Sequence, residues 1–262
     1  MKWNLINTGL NTGRFNMDYD IELVQKCFDD EAYLRFYRWE PYCISLGANQ
    51  KFEDIDIRKT GLSGIDVVKR PTGGRAILHA EELTYSVIIP ASSGLTSTEI
   101  YRRISLALVS GLRLYSKGLY DAELETLQPD FASLLKDPSG AMCFASTAKS
   151  EVKFKGKKLI GSAQRKMGGV ILQHGSILCG NYHLGLINYL NYEPREIELL
   201  KEELNHKTID IESILNEKTD YIRLTESVIK GIEAEFDFSF KENSLQYKDI
   251  STKISINNEH LH

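Results

Sequence analysis

One stretch constrains this chain more than any other: Lys69-Arg70-Pro71-Thr72-Gly73-Gly74-Arg75-Ala76-Ile77-Leu78-His79. The run Ile65 to Val68 leads into it and Leu83 to Ile89 follows it, so a tight basic loop is held between two predicted strands. Pro71 restricts one φ angle, and Gly73-Gly74 opens backbone conformations closed to other residues. With no side chains at those glycines, backbone amides can approach a ligand closely, and Lys69, Arg70 and Arg75 surround them with positive charge. Such a loop suits a phosphate or a polarised carbonyl. The other reading is a glycine hairpin with solvated basic residues. The stretch is neither a Walker A loop, lacking a following Gly-Lys-Ser/Thr, nor a Rossmann fingerprint, lacking the third glycine.

The 262 residues bound one large domain or a domain with an appendage. A net charge of −4 gives no broad basic surface for nucleic acid. Cys27, Cys43, Cys143 and Cys179 lie far apart without paired spacing, which argues against a zinc site or disulfide framework and for reduced thiols in a cytoplasm. The start, Met1-Lys2-Trp3-Asn4, has no signal-peptide character, and no apolar run approaches the roughly 20 residues of a membrane span.

Along the chain, Trp3 to Ile6 reads as a strand. Met17, Ile21, Val24 and Phe28 recur at helical spacing, and Tyr33 to Trp39 and Tyr42 to Leu46 read as strands. Lys51 to Lys59 is a polar, helical stretch. Ser97 or Thr98 caps a helix whose buried stripe is Ile100, Ile104, Leu108, Leu112 and Tyr115. Asp121 to Leu127 is a weaker strand, and Asp137-Pro138-Ser139-Gly140 is a turn that delivers Cys143. Glu151 to Phe154 and Lys158 to Ala163 form a hairpin through Lys155-Gly156-Lys157, and Gly168-Gly169 leads into the strand Val170 to Leu178. After about Leu190 strand signals stop and charged helical patterns take over, at Ile209 to Leu215 and then Tyr221, Leu224, Val228 and Ile232, before a polar tail from Ser251. The reading is a mixed α/β core with a largely antiparallel or mixed sheet.

Four residues could carry chemistry. Cys143 follows a turn among small residues, where a thiol is either reactive or merely half-buried. Lys158 opens the run Lys158-Leu159-Ile160-Gly161-Ser162-Ala163 and either projects into a pocket or is a solvated hairpin lysine among Lys153, Lys155 and Lys157. His79 closes the basic loop and His174 precedes Gly175. In apolar strands both are either hydrogen-bonded core residues or members of a site. Glu81, Glu82, Arg165 and Lys166 read as solvated faces. Asp18 and Asp20 have no partner that would indicate a glycosidase or a metal site, and no metal ligand set is assigned.

These residues resemble the biotin/lipoate protein ligase and octanoyltransferase superfamily. Lys69 to His79 is similar to its signature loop. Lys158-Leu159-Ile160-Gly161-Ser162-Ala163-Gln164 resembles its second signature, a lysine separated by two residues from Gly-Ser-Ala. Val170 to Leu178, with His174-Gly175, resembles the strand that follows. The agreement in order and spacing covers residues 1 to 190. The resemblance implies an α+β fold of the class II biotin/lipoyl synthetase kind, a mixed, mostly antiparallel sheet packed with helices. It implies a catalytic core over 1–190 and a helical C-terminal extension over 191–262 packed on it.

Cys143-Phe144, fifteen residues before Lys158, is similar to the cysteine of single-domain octanoyltransferases, and Arg75 also resembles that branch. The resemblance therefore implies transfer of octanoyl from acyl carrier protein, through a cysteine thioester, to a specific lysine of a lipoyl carrier domain. The acceptor would be the glycine-cleavage H protein or a 2-oxoacid dehydrogenase complex. Cys143 and Lys158 are the implied catalytic residues. Arg70, Thr72, Gly73, Gly74, Arg75, His79, Gly161, Ser162, Ala163, His174 and Gly175 are the implied substrate-binding ones. That reading requires no cofactor. The alternatives are a lipoate ligase using ATP and magnesium, an amidotransferase moving octanoyl between carrier domains, and a non-catalytic acyl-binding member.

Overall fold

The computed structural model of the protein describes residues 1–28, 30–125, 151–240 and 246–247. In chain order its elements are β1 (Lys2–Asn11), α1 (Gly13–Lys26), β2 (Glu31–Trp39), β3 (Cys43–Leu46), α2 (Ile57–Leu62), β4 (Asp66–Lys69), β5 (Ile77–His79), β6 (Glu82–Pro90), α3 (Ser97–Tyr115), β7 (Ala122–Leu124), β8 (Val152–Phe154), β9 (Lys157–Met167), β10 (Val170–Leu178), α4 (Pro194–Lys207), α5 (Ile211–Leu215), α6 (Tyr221–Phe236) and β11 (Gln246–Tyr247). The described strands form an eight-stranded sheet in the order β11-β1-β2-β6-β10-β9-β8-β7 and a three-stranded sheet in the order β4-β3-β5. Strand β1 runs parallel to β2 and β11, and β3 parallel to β4. The other pairings are antiparallel. The expected α+β class with a mixed, mostly antiparallel sheet is what the chain adopts.

Strands β6 and β10 sit at the centre of the large sheet and are buried along their whole length. One face of the sheet, with Leu34, Phe36, Tyr85, Val87, Ile171 and Ile177, packs on α3 and α6. Ile100, Ile104, Leu108 and Leu112 supply the α3 side of that core, as the periodicity predicts, and Leu224, Val228 and Ile232 supply the α6 side. The other face, with Ile6, Ile88 and Leu172, packs against Leu23 and Val24 of α1. The small sheet has its own core, in which Ile44, Leu46 and Leu78 meet Leu200 and Leu204 of α4.

Several local expectations shift. Helix α1 ends at Lys26, so Phe28 lies beyond its stripe and is 69% exposed. The stripe α1 does bury includes the polar Asn16 and Asp20. The cap of α3 is Thr96, whose hydroxyl accepts from the Glu99 amide while the Glu99 carboxylate accepts from the Thr96 amide, one residue before the predicted position. The polar stretch Lys51 to Lys59 divides into a 3₁₀ turn, Phe52–Asp54, and the start of α2. Strand signals do not end at Leu190, since β11 pairs beside β1. The predicted turn 137–140 and Cys143 lie outside the described residues. Among the described residues no helix is long and apolar enough to cross a membrane.

Candidate active site

The register of the large sheet assembles the site. Paired residues on neighbouring strands point to the same face. Arg35, Ser86, His174 and Ala163 therefore form one row across β2, β6, β10 and β9. Tyr37, Thr84, Ser176 and Gly161 form the next. These rows look toward α1 and the small sheet. Between them and the glycine loop lies a cavity of about 350 Å³, counting its open mouth. Its apolar walls are Met17, Tyr37, Trp39 and Ile77, and its polar lining includes Ser45, Arg70, His79, Thr84, His174 and Ser176. Gly161, Ser162, Ala163 and Gly175 close the β9–β10 side.

The loop between β4 and β5 is pinned mainly by Arg70, which is 3% exposed. Its guanidinium donates to the Gly73 carbonyl (3.2 and 3.0 Å), the Arg75 carbonyl (2.7 Å), and the carbonyl and hydroxyl of Ser45 (2.9 and 3.1 Å). The planar fork is directed at the loop's own backbone and β3, the use to which arginine is better suited than lysine. Arg165 fastens the loop to β9 by donating to the Pro71 carbonyl at 2.6 Å. Gly47 is required opposite Gly74, because a β-carbon there would stand 1.9 Å from the Gly74 carbonyl oxygen.

His79 continues the chain from Arg70. Its Nε2 meets the Ser45 hydroxyl at 2.7 Å and its Nδ1 meets Glu82 Oε1 at 2.8 Å. The same carboxylate oxygen accepts from Thr84 (2.6 Å), Ser176 (2.8 Å) and Trp39 Nε1 (3.2 Å). Trp39 lies flat on the His79 ring, 4.1 Å between centroids. Burial pushes the Glu82 carboxyl up, but the charge and hydrogen bond of His79, with the hydroxyl donors, outweigh it and leave it below the ordinary value. Glu82 is thus a buried anchor of the site and not the solvated acid that its neighbour Glu81 made it resemble.

His174 faces the loop from β10. Its Nε2 meets the Thr72 hydroxyl at 2.7 Å and its Nδ1 meets Asp20 Oδ2 at 3.3 Å. Burial lowers the His174 pKa despite that carboxylate. For Asp20, burial works upward, and the Arg35 guanidinium at 2.7 Å with the His174 bond brings the carboxyl below its ordinary value.

Lys158 is not a solvated hairpin lysine. It is 1% exposed, with its Nζ 3.0 Å from Glu151 Oε1. The pairings Lys153↔Lys158 and Val152↔Ile160 leave Leu159 as an extra residue. That bulge turns Lys158 away from the α3 core, which holds Leu159 and Ile160, to the face of Gly161 and Ala163. Lys158 does not line the cavity. It sits three residues before Gly161, about 10 Å along the strand.

Of the predicted residues, the structure gathers Arg70, His79, Gly161, Ser162, Ala163, His174 and Gly175 around one cavity and joins Thr72 to it through His174. Gly73, Gly74 and Arg75 belong to the loop without lining the cavity, and Lys158 stands further along β9. Sequence reasoning missed Asp20, Arg35, Ser45, Trp39 and Ser176. An arginine inside the apolar run Leu34-Arg35-Phe36-Tyr37 and two polar residues, Asn16 and Asp20, one turn apart beside Met17 were the available signals. Among the described residues no group of three or more His, Cys, Asp or Glu could hold a metal ion.

Comparison with known proteins places this arrangement. The family model described as the lipoyl protein ligase A/B catalytic domain matches residues 12–233. The octanoyltransferase LipM of Staphylococcus aureus is 36% identical over 91% of this chain and 88% of its own. That of Clostridioides difficile is 36% identical over 93% and 90%. Among solved structures, a bi-partite lipoate protein ligase from Thermoplasma acidophilum, described with its E2 lipoyl domain, superposes with a TM-score of 0.72 at 19% identity, covering 92% of this chain and 86% of that one. A lipoate-protein ligase A bound with ATP gives 0.72 at 22% identity, covering 92% and 88%. At such identities the solved structures speak for the fold alone. With two signature motifs meeting at one cavity and the family model spanning 12–233, the chain belongs to the lipoyl protein ligase A/B catalytic-domain family.

Proposed function

We propose that the protein is an octanoyltransferase of protein lipoylation, carrying octanoyl from acyl carrier protein through a thioester on Cys143 to a specific lysine of a lipoyl carrier domain. The observation that carries this reading is the likeness, at 36% identity over about nine tenths of both chains, to octanoyltransferases of two bacteria. The site supports it. A narrow cavity with apolar walls beside a glycine-rich loop suits a short saturated acyl chain, and Cys143 precedes the signature lysine by fifteen residues.

In this mechanism the Cys143 thiolate attacks the thioester carbonyl of the donor. The new C–S bond forms as the carrier's thiolate leaves, so one thioester replaces another without ATP or a metal. The neutral amine of the acceptor lysine then attacks the acyl carbon, an amide forms, and Cys143 departs as thiolate and takes up the proton the amine releases. Lys158 is the cation proposed for the thiolate; Glu151, 3.0 Å from its Nζ, holds the buried ammonium in place while offsetting part of its field. Backbone amides at Gly73-Gly74, with Gly161-Ser162, steady the oxyanion, a contribution of about 3 kcal/mol per donor. Acceptors are lipoyl domains such as those of the H protein or the 2-oxoacid dehydrogenase complexes, and the enzyme works in the cytoplasm.

The test is intact mass after mixing the protein with octanoyl-acyl carrier protein in the absence of ATP. The expected result is a hydroxylamine-sensitive octanoyl adduct, absent in Cys143→Ala and retained in Cys27→Ala and Cys179→Ala. Absence of an adduct, with a lipoyl domain labelled only when ATP, magnesium and free lipoate are supplied, would overturn the reading in favour of a ligase.

A further inference from the structure

Asp20 is fully buried on α1, and none of the signature motifs contains it. Its carboxylate accepts four hydrogen bonds. Oδ1 accepts from Arg35 Nη1 at 2.7 Å and Ser86 Oγ at 2.8 Å, while Oδ2 accepts from the Tyr37 hydroxyl at 3.2 Å and His174 Nδ1 at 3.3 Å. Arg35 is held as firmly. Besides Asp20 it donates to Thr8 Oγ1 from Nε and Nη2 (3.1 and 2.9 Å), to the Asn16 carbonyl (3.0 Å) and to Asn16 Oδ1 (2.7 Å). All five guanidinium N–H groups are thereby engaged. A carboxylate fixed on every side is a rigid reference point inside the sheet.

A carboxylate only accepts, so Nδ1 of His174 carries the proton that points at Asp20. In the neutral ring Nε2 is then a bare acceptor, and the Thr72 hydroxyl 2.7 Å away is its donor. Thr72 lies in the middle of the glycine loop, is fully buried, and sits 102 residues from His174 in sequence. The other described hydrogen bonds of the loop run to its own carbonyls, to Ser45 and the Leu46 carbonyl on β3, from the Ala48 amide to the Thr72 carbonyl, and from Arg165 on β9. The Thr72 bond ties it to a cavity-lining side chain of the large sheet, as the Arg70 bond to the Ser45 hydroxyl ties it to one of the small sheet.

We propose that Asp20 is a positioning residue: it fixes the tautomer of His174, and through the Thr72 hydroxyl this latches the glycine loop against the acyl cavity. The titratable and charged groups around His174 are Asp20 on α1, with Arg35 and Tyr37 of β2 bonded to that carboxylate, Arg70 in the loop and His79 on β5. Its register neighbours Ser86 on β6 and Ala163 on β9 add none. Burial, with the Arg70 guanidinium, holds the His174 pKa below its ordinary value and so favours the neutral ring, the form whose Nε2 accepts from Thr72.

Only the activity readout rests on the proposed acyl transfer; the tautomer and loop measurements need no substrate, so failure of one reading is distinguishable from failure of the other. The experiment is ¹⁵N NMR of the His174 ring in the full-length protein, with hydrogen exchange of residues 69–75 compared with that of β6. The expected tautomer is Nδ1–H. In Thr72→Val, loop exchange rises about tenfold while β6 is unchanged, as loss of one buried hydrogen bond would give, and Thr72→Ser restores it; in Asp20→Asn, which also takes the carboxylate from Arg35 and from Ser86 of β6, loop exchange rises by more than that of β6. Acylation by octanoyl-acyl carrier protein then shows a raised KM in both variants. An Nε2–H tautomer in the unaltered protein, unchanged loop exchange, or a uniform rise that includes β6 would overturn the proposal. If Asp20→Asn does not fold, the wild-type tautomer and the Thr72 pair decide the matter.

Discussion

Lys158 and Glu151 form a buried ion pair, and such a pair is costly to break from one side only. Lys158→Met takes the ammonium from a carboxylate that is 4% exposed, with an expected loss of about 3–5 kcal/mol measured by chemical denaturation. The double variant Lys158→Met/Glu151→Leu should recover most of that stability, yet it should form no octanoyl adduct, which separates the structural from the chemical role of the lysine. The thiols divide on similar grounds. Burial pushes Cys179 up to about 12 and Cys43 well above its ordinary value. Neither should alkylate with iodoacetamide at pH 7.5, as peptide mapping would check, whereas the mechanism requires Cys143 to react.

At the scale of elements, the β9–β10 pairing leaves no room beside Gly175. A β-carbon there would lie 2.5 Å from the Gly161 carbonyl oxygen and 2.9 Å from the Tyr85 ring. Gly175→Val should cost about 1–3 kcal/mol, the usual range for overpacking, and should weaken acyl binding as β9 is pushed from β10. Calorimetric unfolding together with an octanoate-binding titration would show both effects. The glycine signature in β10 thus preserves a close strand contact, while Gly47 admits the close approach of the Gly74 carbonyl and Gly74 itself takes a φ of 91°.

For the whole molecule, acid should weaken the fold in two stages. Burial lowers the pKa of His174 and of His183, so their unfolded forms take up protons first. Their stability contribution is full above the ordinary value of 6.5 and is lost as pH falls through the lowered folded values. Asp20 and Glu82 are also lowered, so their contribution is complete above about pH 4 and fades only below it. A Tm profile should therefore begin to fall below about pH 6.5, more shallowly in His183→Gln, and steepen below about pH 4. A flat profile between pH 5 and 7 would contradict this. The C-terminal helices belong to the same account. Ile211, Leu224, Val228 and Ile232 are all fully buried in the core shared with α3. At about 1.5–3 kcal/mol each, their loss approaches the whole stability of an ordinary domain. A chain ending at Lys207 should fail to show a cooperative unfolding transition.

Periodicity and turn chemistry in the sequence determined the strands, the stripe of α3 and the α6 pattern, because each depends on residues a few positions apart. The two signature motifs likewise marked the loop and the Gly-Ser-Ala strand that meet at the cavity. Three-dimensional pairing alone decided the rest. Asn16 and Asp20 are buried because β2, folding back beside α1, brings Arg35 within reach of both. Glu82 is buried because β6 is central and four donors converge on one oxygen. Lys158 shares the face of Gly161 and Ala163 because a bulge against β8 reverses its side of the strand. A polar side chain carries no local mark of whether a distant partner will neutralise it. Desolvation and compensation are settled only when the sheet closes.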